Sequence, residues 1–298
     1  MVKEKRTIHE YHLNRNQPDK PQFAIHDLNS YLKRNMGDAT RPHIHSFYQI
    51  IWFKSGNGSH FVDFKKYEVY KNALFFIEKN QVHYFDQNAC YNGVLIHFNE
   101  TFLVQKDNKT DFFLKCSIFN NPYQQPSCCI DSHIGSVLDE YIRQMTRELQ
   151  QEETFGKEEL LRACLKSLLI QVQRKKNELE KIESRDPFAR DNKRAQLIRL
   201  VNLVEEHYNK ALAVSEYAKL LCISPRTLSD ITRQLLNKTP SQMVQERIIL
   251  EAQRLLLHSS QNINQIGYHL GFEDPSYFVK YFKKHTGMAP SEFRKSVS

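Results

Sequence analysis

The spacing of apolar positions changes twice along the 298-residue chain. Between residues 40 and 100 the apolar stretches are short and rich in aromatic and β-branched side chains: Phe47–Phe53, His60–Phe64, Leu74–Ile77, Gln81–Phe85 and Gly93–Phe98. Turn residues separate them, and Ser55-Gly56-Asn57-Gly58 carries a strong hairpin signal. Short strands at this spacing predict an antiparallel sandwich or barrel. From residue 134 the period becomes helical. Ile134, Val137, Leu138, Tyr141, Ile142, Met145 and Leu149 form one i, i+3, i+4, i+7 stripe, and Leu160, Leu161, Leu165, Leu168, Leu169 and Val172 form a second. The two predict an antiparallel helix pair over 131–183. Its stripes need a surface, either the strands before it or the same helices of a second subunit. Residues 174–193 are mostly charged and include Asp186-Pro187, which predicts a linker, set at 184–193, with helices beyond.

The last hundred residues contain a repeat. Thr239-Pro240-Ser241-Gln242-Met243 matches Ala289-Pro290-Ser291-Glu292-Phe293, and Leu228 matches Phe278, all at an offset of 50. Upstream the offset is 49, pairing Ala218 with Gly267, Leu221 with Leu270 and Cys222 with Gly271, so the second copy has the longer turn. Each copy reads as two short helices crossing at a small residue, with Ser224-Pro225 or Asp274-Pro275 opening the second helix. That is the packing demand of a helix-turn-helix, about 212–236 and 262–285. Apolar residues at helical spacing from Met243 to Leu256 join the copies through a rod of about 27 Å at ~1.5 Å per residue.

Composition describes a globular chain, with 40% apolar and 26% charged residues. A mean hydropathy of −0.60 and the absence of a long apolar run predict no membrane partner. No apolar core follows Met1–Arg6, so no secretory signal is expected and the expected compartment is the cytoplasm. Six cysteines, Cys90, Cys116, Cys128, Cys129, Cys164 and Cys222, form no C-x-x-C pair and predict neither a disulfide framework nor a zinc site. Charge is uneven. Residues 1–191 hold 27 Lys+Arg against 25 Asp+Glu, a net of +2, and residues 192–298 hold 15 against 9, a net of +6. The excess therefore sits on the repeated units, where a polyanion would meet it.

Three stretches carry a resemblance. Arg247-x4-Ala252-x2-Leu255-Leu256, then Ile263-x2-Ile266-Gly267-x2-Leu270-Gly271-Phe272-x2-Pro275-x-Tyr277-Phe278-x3-Phe282-Lys283-Lys284, then Gly287-x2-Pro290-x2-Phe293-Arg294, resemble the DNA-binding domain of AraC/XylS-family bacterial transcription regulators. The match spans roughly 195–297. Gly267 stands where those proteins usually have alanine, and a closer helix approach is expected to offset its lower helix propensity. Upstream, Arg41-Pro42-His43-Ile44-His45-Ser46-Phe47-Tyr48-Gln49-Ile50, Gly56-x-Gly58 and Glu78-Lys79-Asn80-Gln81-Val82-His83 resemble the cupin-type ligand-binding domain of such regulators. The broader cupins bind a divalent metal with His-x-His, an acid four residues on and a later histidine. His43, His45 and His83 match, but Gln49 replaces the acid. An amide oxygen is a weaker ligand and adds no charge. No metal or cofactor is assigned, and His43, His45 and His83 stay only as candidate ligands, with polar contact to an effector at His43, His45, Gln49 and His83 as the preferred role. Strand alternation places His43, His45, Phe47, Gln49, Ile51 and Phe53 on one face and sends Trp52 toward the helices.

The resemblance implies an α+β chain: a cupin-like barrel over 1–130, a dimerising helical pair over 131–183 and an all-α domain of two tandem helix-turn-helix units over 194–298, joined by a long helix. The second helix of each unit enters a major groove. Its exposed residues are Arg226, Thr227, Ser229, Asp230 and Arg233 in the first unit and Ser276, Tyr277, Val279, Lys280, Lys283 and Lys284 in the second. Asp230 either accepts from cytosine or orients Arg226 or Arg233. The expected function is a non-enzymatic regulator whose partners are double-stranded DNA, a small-molecule effector and a second copy of the chain, with RNA polymerase a candidate. Two alternatives are a metal-dependent cupin enzyme with a helical appendage and a constitutive DNA-binding regulator whose barrel only dimerises.

Overall fold

A computed structural model describes residues 9–14, 22–103, 118–119, 126–152, 154–181 and 187–296. The chain divides into two compact units, Glu10–Arg185 and Asp186–Ser298 with Met1–His9. Among the described residues no helix is long and apolar enough to cross a membrane.

The first unit is a curled sheet of strands β1 (His9–Tyr11), β2 (Phe23–Asp27), β3 (His43–His45), β4 (Tyr48–Val62), β5 (Lys65–Val69), β6 (Ala73–Ile77), β7 (His83–Phe85), β8 (Cys90–Phe98) and β9 (Ser127–Cys129). Helix α1 (Leu28–Ala39) follows β2, and α2 (Glu100–Leu103) follows β8. The 15-residue β4 serves both walls. Its first half pairs antiparallel with β6 and β8, and its second half pairs with β5 and β7. The register against β8 shifts between Phe53 and Ser55, which is where the strand bends from one wall to the other.

The Ser55-Gly56-Asn57-Gly58 segment expected to turn a hairpin lies inside β4 instead. Gly56 (φ 120°) and Gly58 (φ 149°) are in backbone regions side chains avoid. A Cβ at Gly56 would sit 2.4 Å from the Cys90 carbonyl oxygen, and one at Gly58 would sit 2.4 Å from the Ala89 Cβ. The glycines permit a strand bend and a close approach, a second use of the same residue type. The hairpin turn falls at Asp63 (φ 45°) and Phe64 (φ 65°), between the paired Val62 and Lys65. Both residues are left-handed, as a two-residue I′ turn requires.

Alternation along the central strands separates two cores. Ile51, Phe53, Phe75, Ile77 and Leu95 point inward with Val62, Phe85 and Tyr91. Tyr48, Ile50, Trp52, Leu74, Phe76, Ile96 and Phe98 point outward. The outward set is covered by α3 (Ser132–Gln150) and α4 (Lys157–Lys181) through Leu138, Ile142, Met145, Leu161, Leu165, Leu168, Leu169 and Val172. The helical stripes thus find their surface on this sheet, as the outward direction of Trp52 anticipates. Gly135 of α3 lies against the Trp52 ring, where a Cβ would make an ordinary van der Waals contact at 3.6 Å from Cζ2.

In the second unit α5 (Pro187–His207) already begins inside the segment expected as a linker. Pro187, read there as a breaker, opens a helix because a first-turn residue has no intrahelical N–H bond to lose. Residues 182–186 lie outside the described residues. After a 3-10 turn at Tyr208–Lys210 come α6 (Val214–Leu220), α7 (Pro225–Leu236), α8 (Pro240–His258), α9 (Ile263–His269), α10 (Pro275–Thr286) and α11 (Pro290–Ser296). The repeated Pro-Ser-Gln/Glu segment is a helix start. Thr239 and Gln242 form a capping box at α8, and the Glu292 carboxylate accepts from the Ala289 N–H at α11. Cys222 (φ 56°) and Gly271 (φ 86°) take the same left-handed place after α6 and α9. A Cβ at Gly271 would lie 2.0 Å from the Asn209 carbonyl oxygen, so only glycine fits the second copy.

Arg247 fastens α8 to α5. Its Nε donates to both Glu205 oxygens at 2.7 and 2.8 Å, its Nη1 donates to Glu251 at 2.9 Å, and Tyr208 packs its ring 4.3 Å from the guanidinium. Burial opposes the charge, yet the two carboxylates outweigh it and hold the group protonated. Arg294 donates to the Leu256 and Gln261 carbonyls and so closes the C-terminal end of α8.

The crossing of α9 and α10 explains Gly267. A Cβ there would meet Phe278 Cβ at 3.3 Å, whereas the first copy pairs the larger Ala218 with the smaller Leu228. Gly267→Ala is expected to destabilise the unit by about 1 kcal/mol, and the penalty should vanish in a Phe278→Leu background. Urea unfolding of the four proteins of that cycle measures the coupling.

Candidate effector site and nucleic-acid interface

The interior of the first unit has an apolar end and a polar end. The polar end gathers His43 and His45 from β3, Gln49 and His60 from β4, His83 from β7 and His97 from β8, all 3% exposed or less. β4 and β8 set Gln49 opposite His97 in register, and β3 and β7 set His43 opposite His83. Ring centroids lie 4.4 Å apart for His43–His83, 4.9 Å for His43–His45 and 4.8 Å for His45–His83. Phe47 stacks on His45 at 4.4 Å, and Tyr11 meets His43 edge-on at 5.5 Å. His60 is set deeper, against Phe53, Phe75 and Phe85.

Few partners exist for these groups. His43 Nδ1 lies 2.8 Å from the Arg41 carbonyl oxygen, and His83 Nε2 lies 3.0 Å from His45 Nδ1. His45 Nε2, Gln49 Oε1, both His60 nitrogens, His83 Nδ1 and His97 Nε2 are buried with no hydrogen-bond partner among the described residues. A buried polar atom left unpaired costs about 1–3 kcal/mol, so a group of them marks a site shaped for a guest. Burial, and then the neighbouring imidazoles, hold His45, His83 and His97 well below the ordinary histidine range and His60 at about 3. The rings are therefore neutral, with lone pairs available. His43, His45 and His83 place ligand nitrogens within 4.8 Å of one another. Those donors fit an imidazole-only site for a borderline transition metal, and with Gln49 in place of the acid they do not fit the histidine-and-acid set of the broader cupins.

The second candidate surface is on α7 and α10. Ser224 caps α7, and Leu228 and Ile231 face the core. Arg226, Thr227, Asp230 and Arg233 are exposed, while Ser229 is half-buried with its hydroxyl donating to the Pro225 carbonyl. The Thr227 hydroxyl sits 2.8 Å from that of Ser224 and so belongs to the cap. Among the described residues Asp230 pairs with neither Arg226 nor Arg233. On α10, Ser276, Tyr277, Lys280, Lys283 and Lys284 are exposed. Val279, expected at the surface, is half-buried and packs on the core around Phe278. Elsewhere in the unit Lys238, Arg247 and Arg294 are engaged by carboxylates or carbonyls. The side chains of Arg226, Arg233, Lys280, Lys283 and Lys284 make no ion pair or hydrogen bond among the described residues.

Comparison with known proteins finds a match in each unit. Residues 217–296 match the helix-turn-helix domain family, and residues 28–165 match the AraC-like ligand binding domain. The chain belongs to the AraC family of transcription regulators. It is a DNA-binding regulator with an N-terminal ligand-binding domain. It is similar to the HTH-type transcriptional activator RhaS of Escherichia coli O157:H7, with 25% identity over 287 residues, 91% of this chain and 97% of that protein. A RhaS from Enterobacter sp. (strain 638) is 22% identical over 263 residues, 85% of this chain and 87% of that one. Among solved structures, an AraC-type DNA-binding domain from Chromobacterium violaceum is 27% identical over 36% of this chain and 96% of its own, with a TM-score of 0.34. ToxT from Vibrio cholerae O395 is 16% identical over 94% of this chain and 95% of its own, with a TM-score of 0.43.

In this AraC-family chain the ligand-binding match contains all six polar interior residues, yet His60 and His97 escape sequence reasoning. The signal was their phase. His97 shares the inward parity of Leu95, and His60 that of Val62.

The buried histidines carry a pH signature. Their folded-state pKa values are depressed, so the native barrel binds fewer protons than the unfolded chain below about pH 6.5. Stability is full above that value and is lost as pH falls toward the folded-state values, by about 1.4 kcal/mol per pH unit for each histidine. Thermal melts between about pH 7.5 and pH 5 should show this loss, with a smaller slope in His60→Phe, whose ring suits the surrounding phenylalanines.

Proposed function

We propose that a guest bound at His43, His45, Gln49 and His83 in the barrel interior sets the affinity with which α7 and α10 read DNA. The observation that carries the reading is the contrast within the second unit. Arg247 is buried and paired, and the half-buried Lys238 and Arg294 are paired as well, while the cations of the two recognition helices are exposed with no side-chain partner among the described residues. Arg226 suits a bidentate contact to guanine, and Lys280 a single donor contact. Arg233, Lys283 and Lys284 suit phosphates, while Thr227, Ser229, Asp230, Ser276 and Tyr277 line the same edges.

The chain works as a homodimer in this reading, with two half-sites per dimer. The inner stripes of α3 and α4 are used on the sheet, so the second subunit meets their outer faces, where Leu160 is 49% exposed. Activation is favoured over repression because the RhaS relatives are named activators, and RNA polymerase is then the natural second partner. The protein acts in the cytoplasm and performs no catalysis.

Gel-shift titration with the gene's own upstream region tests the DNA surface. Binding should weaken steeply with salt. Arg226→Ala and Lys280→Ala should each cost about 1–3 kcal/mol and relax discrimination at one base pair. Unchanged affinity and specificity in both variants would refute the groove assignment.

A further inference from the structure

The polar end of the barrel contains donors of one kind. Its buried residues are histidines with Gln49 beside them, and among the described residues no buried aspartate, glutamate, lysine or arginine lines it. The buried cations of this unit, Lys157, Arg162 and Lys176, belong to α4, on the other side of the sheet. An interior built for an organic acid would offer it a cation, and one built for calcium or magnesium would offer carboxylate oxygens. Neutral imidazoles in close array suit a borderline transition metal.

The dimensions agree. The centroids of His43, His45 and His83 are 4.4 to 4.9 Å apart, and Phe47 and Tyr11 pack against the same rings. The gap among their nitrogens is the size of an atom, not of a ring or a chain. His45 Nδ1 and His83 Nε2 are 3.0 Å apart, close to the ~3.3 Å separating two nitrogens bound at ~2.0–2.1 Å to one tetrahedral ion. Three imidazoles are a sufficient protein ligand set for zinc and leave one position for a small ligand. His60, 5.3 Å from His83 between ring centroids, and His97, 6.1 Å from His45, stand directly behind the three.

We infer that the effector of this regulator is a divalent transition metal ion, held in the barrel interior by His43, His45 and His83. The inference rests on the regulatory reading above for its consequence, and on the donor set alone for the site.

The test uses the full chain, purified without a histidine tag and stripped with a chelator. Cobalt(II) is the probe, followed by competition with zinc. One cobalt ion per chain, with visible ligand-field bands, is expected. His45→Ala and His83→Ala should each weaken binding at least about tenfold, while His133→Ala, exposed at the start of α3, should bind as the parent does. Parent protein that takes up no cobalt overturns the site, whether or not the variants fold. Uptake that survives both substitutions overturns it as well. The same preparations are then titrated with upstream DNA, with and without zinc. A change in affinity of about fivefold or more supports the effector role, and DNA binding indifferent to zinc overturns it. Stoichiometric cobalt with no DNA binding in either form upholds the metal site and refutes the regulatory reading instead.

Discussion

The N-terminal unit depends on β4 being buried on both faces. A half-solvated strand offers one set of side chains to a core, but this one offers two. Trp52 and its outward neighbours hold the helices, and Gln49, Ile51 and Phe53 build the interior. A slip of one residue would exchange the sets, sending Gln49 into an apolar helix interface and Trp52 into the site. Gly93 guards that register. It faces Phe53 across the ladder, and a Cβ there would lie 1.9 Å from the Trp52 carbonyl oxygen. The placement of the histidines follows, because His97 is reached from Gly93 along β8 in the inward phase.

The DNA-reading unit solves a different problem, which is to keep cations apart from its own carboxylates. Arg247 is placed where two glutamates and a tyrosine ring enclose it, and removing it would leave two half-buried carboxylates without their cation. Arg294 is spent on carbonyls at the end of α8. The family-like residues thus divide by depth. Arg247, Gly267, Phe278, Phe282, Pro290 and Arg294 build the scaffold, and the residues that vary in kind between the copies, Arg226 against Ser276 or Asp230 against Lys280, lie outside.

The architecture of helices was legible because amphipathic stripes and proline-opened caps are local signals. The repeat at 49 and 50 residues located both turns, whose lengths are Leu221–Ser224 and Leu270–Asp274. Strands β4, β6, β7 and β8 were located as well, but β1, β2, β5 and β9 and the connections were not. Gly56-Asn57-Gly58 reads as a turn locally, and only the neighbouring Cys90 and Ala89 show why glycine is needed in a strand. Asp63-Phe64 gives no turn signal, since phenylalanine is costly in the left-handed region and is held there by the ladder on either side. Four of the six polar interior residues were legible, His43, His45, Gln49 and His83. His60 and His97 were not, because a lone histidine in an apolar strand looks like any core residue until the walls bring the strands together.

In the proposed mode of DNA binding, one chain carries two reading heads on a shared rod, α8. Hydroxyl-radical footprinting on the upstream region, at protein limited to one dimer per site, addresses it directly. Two protected patches per half-site, about 10 base pairs apart on one face of the duplex, are the predicted pattern. A single patch per half-site, unaltered when Lys280 is replaced by alanine, would contradict it.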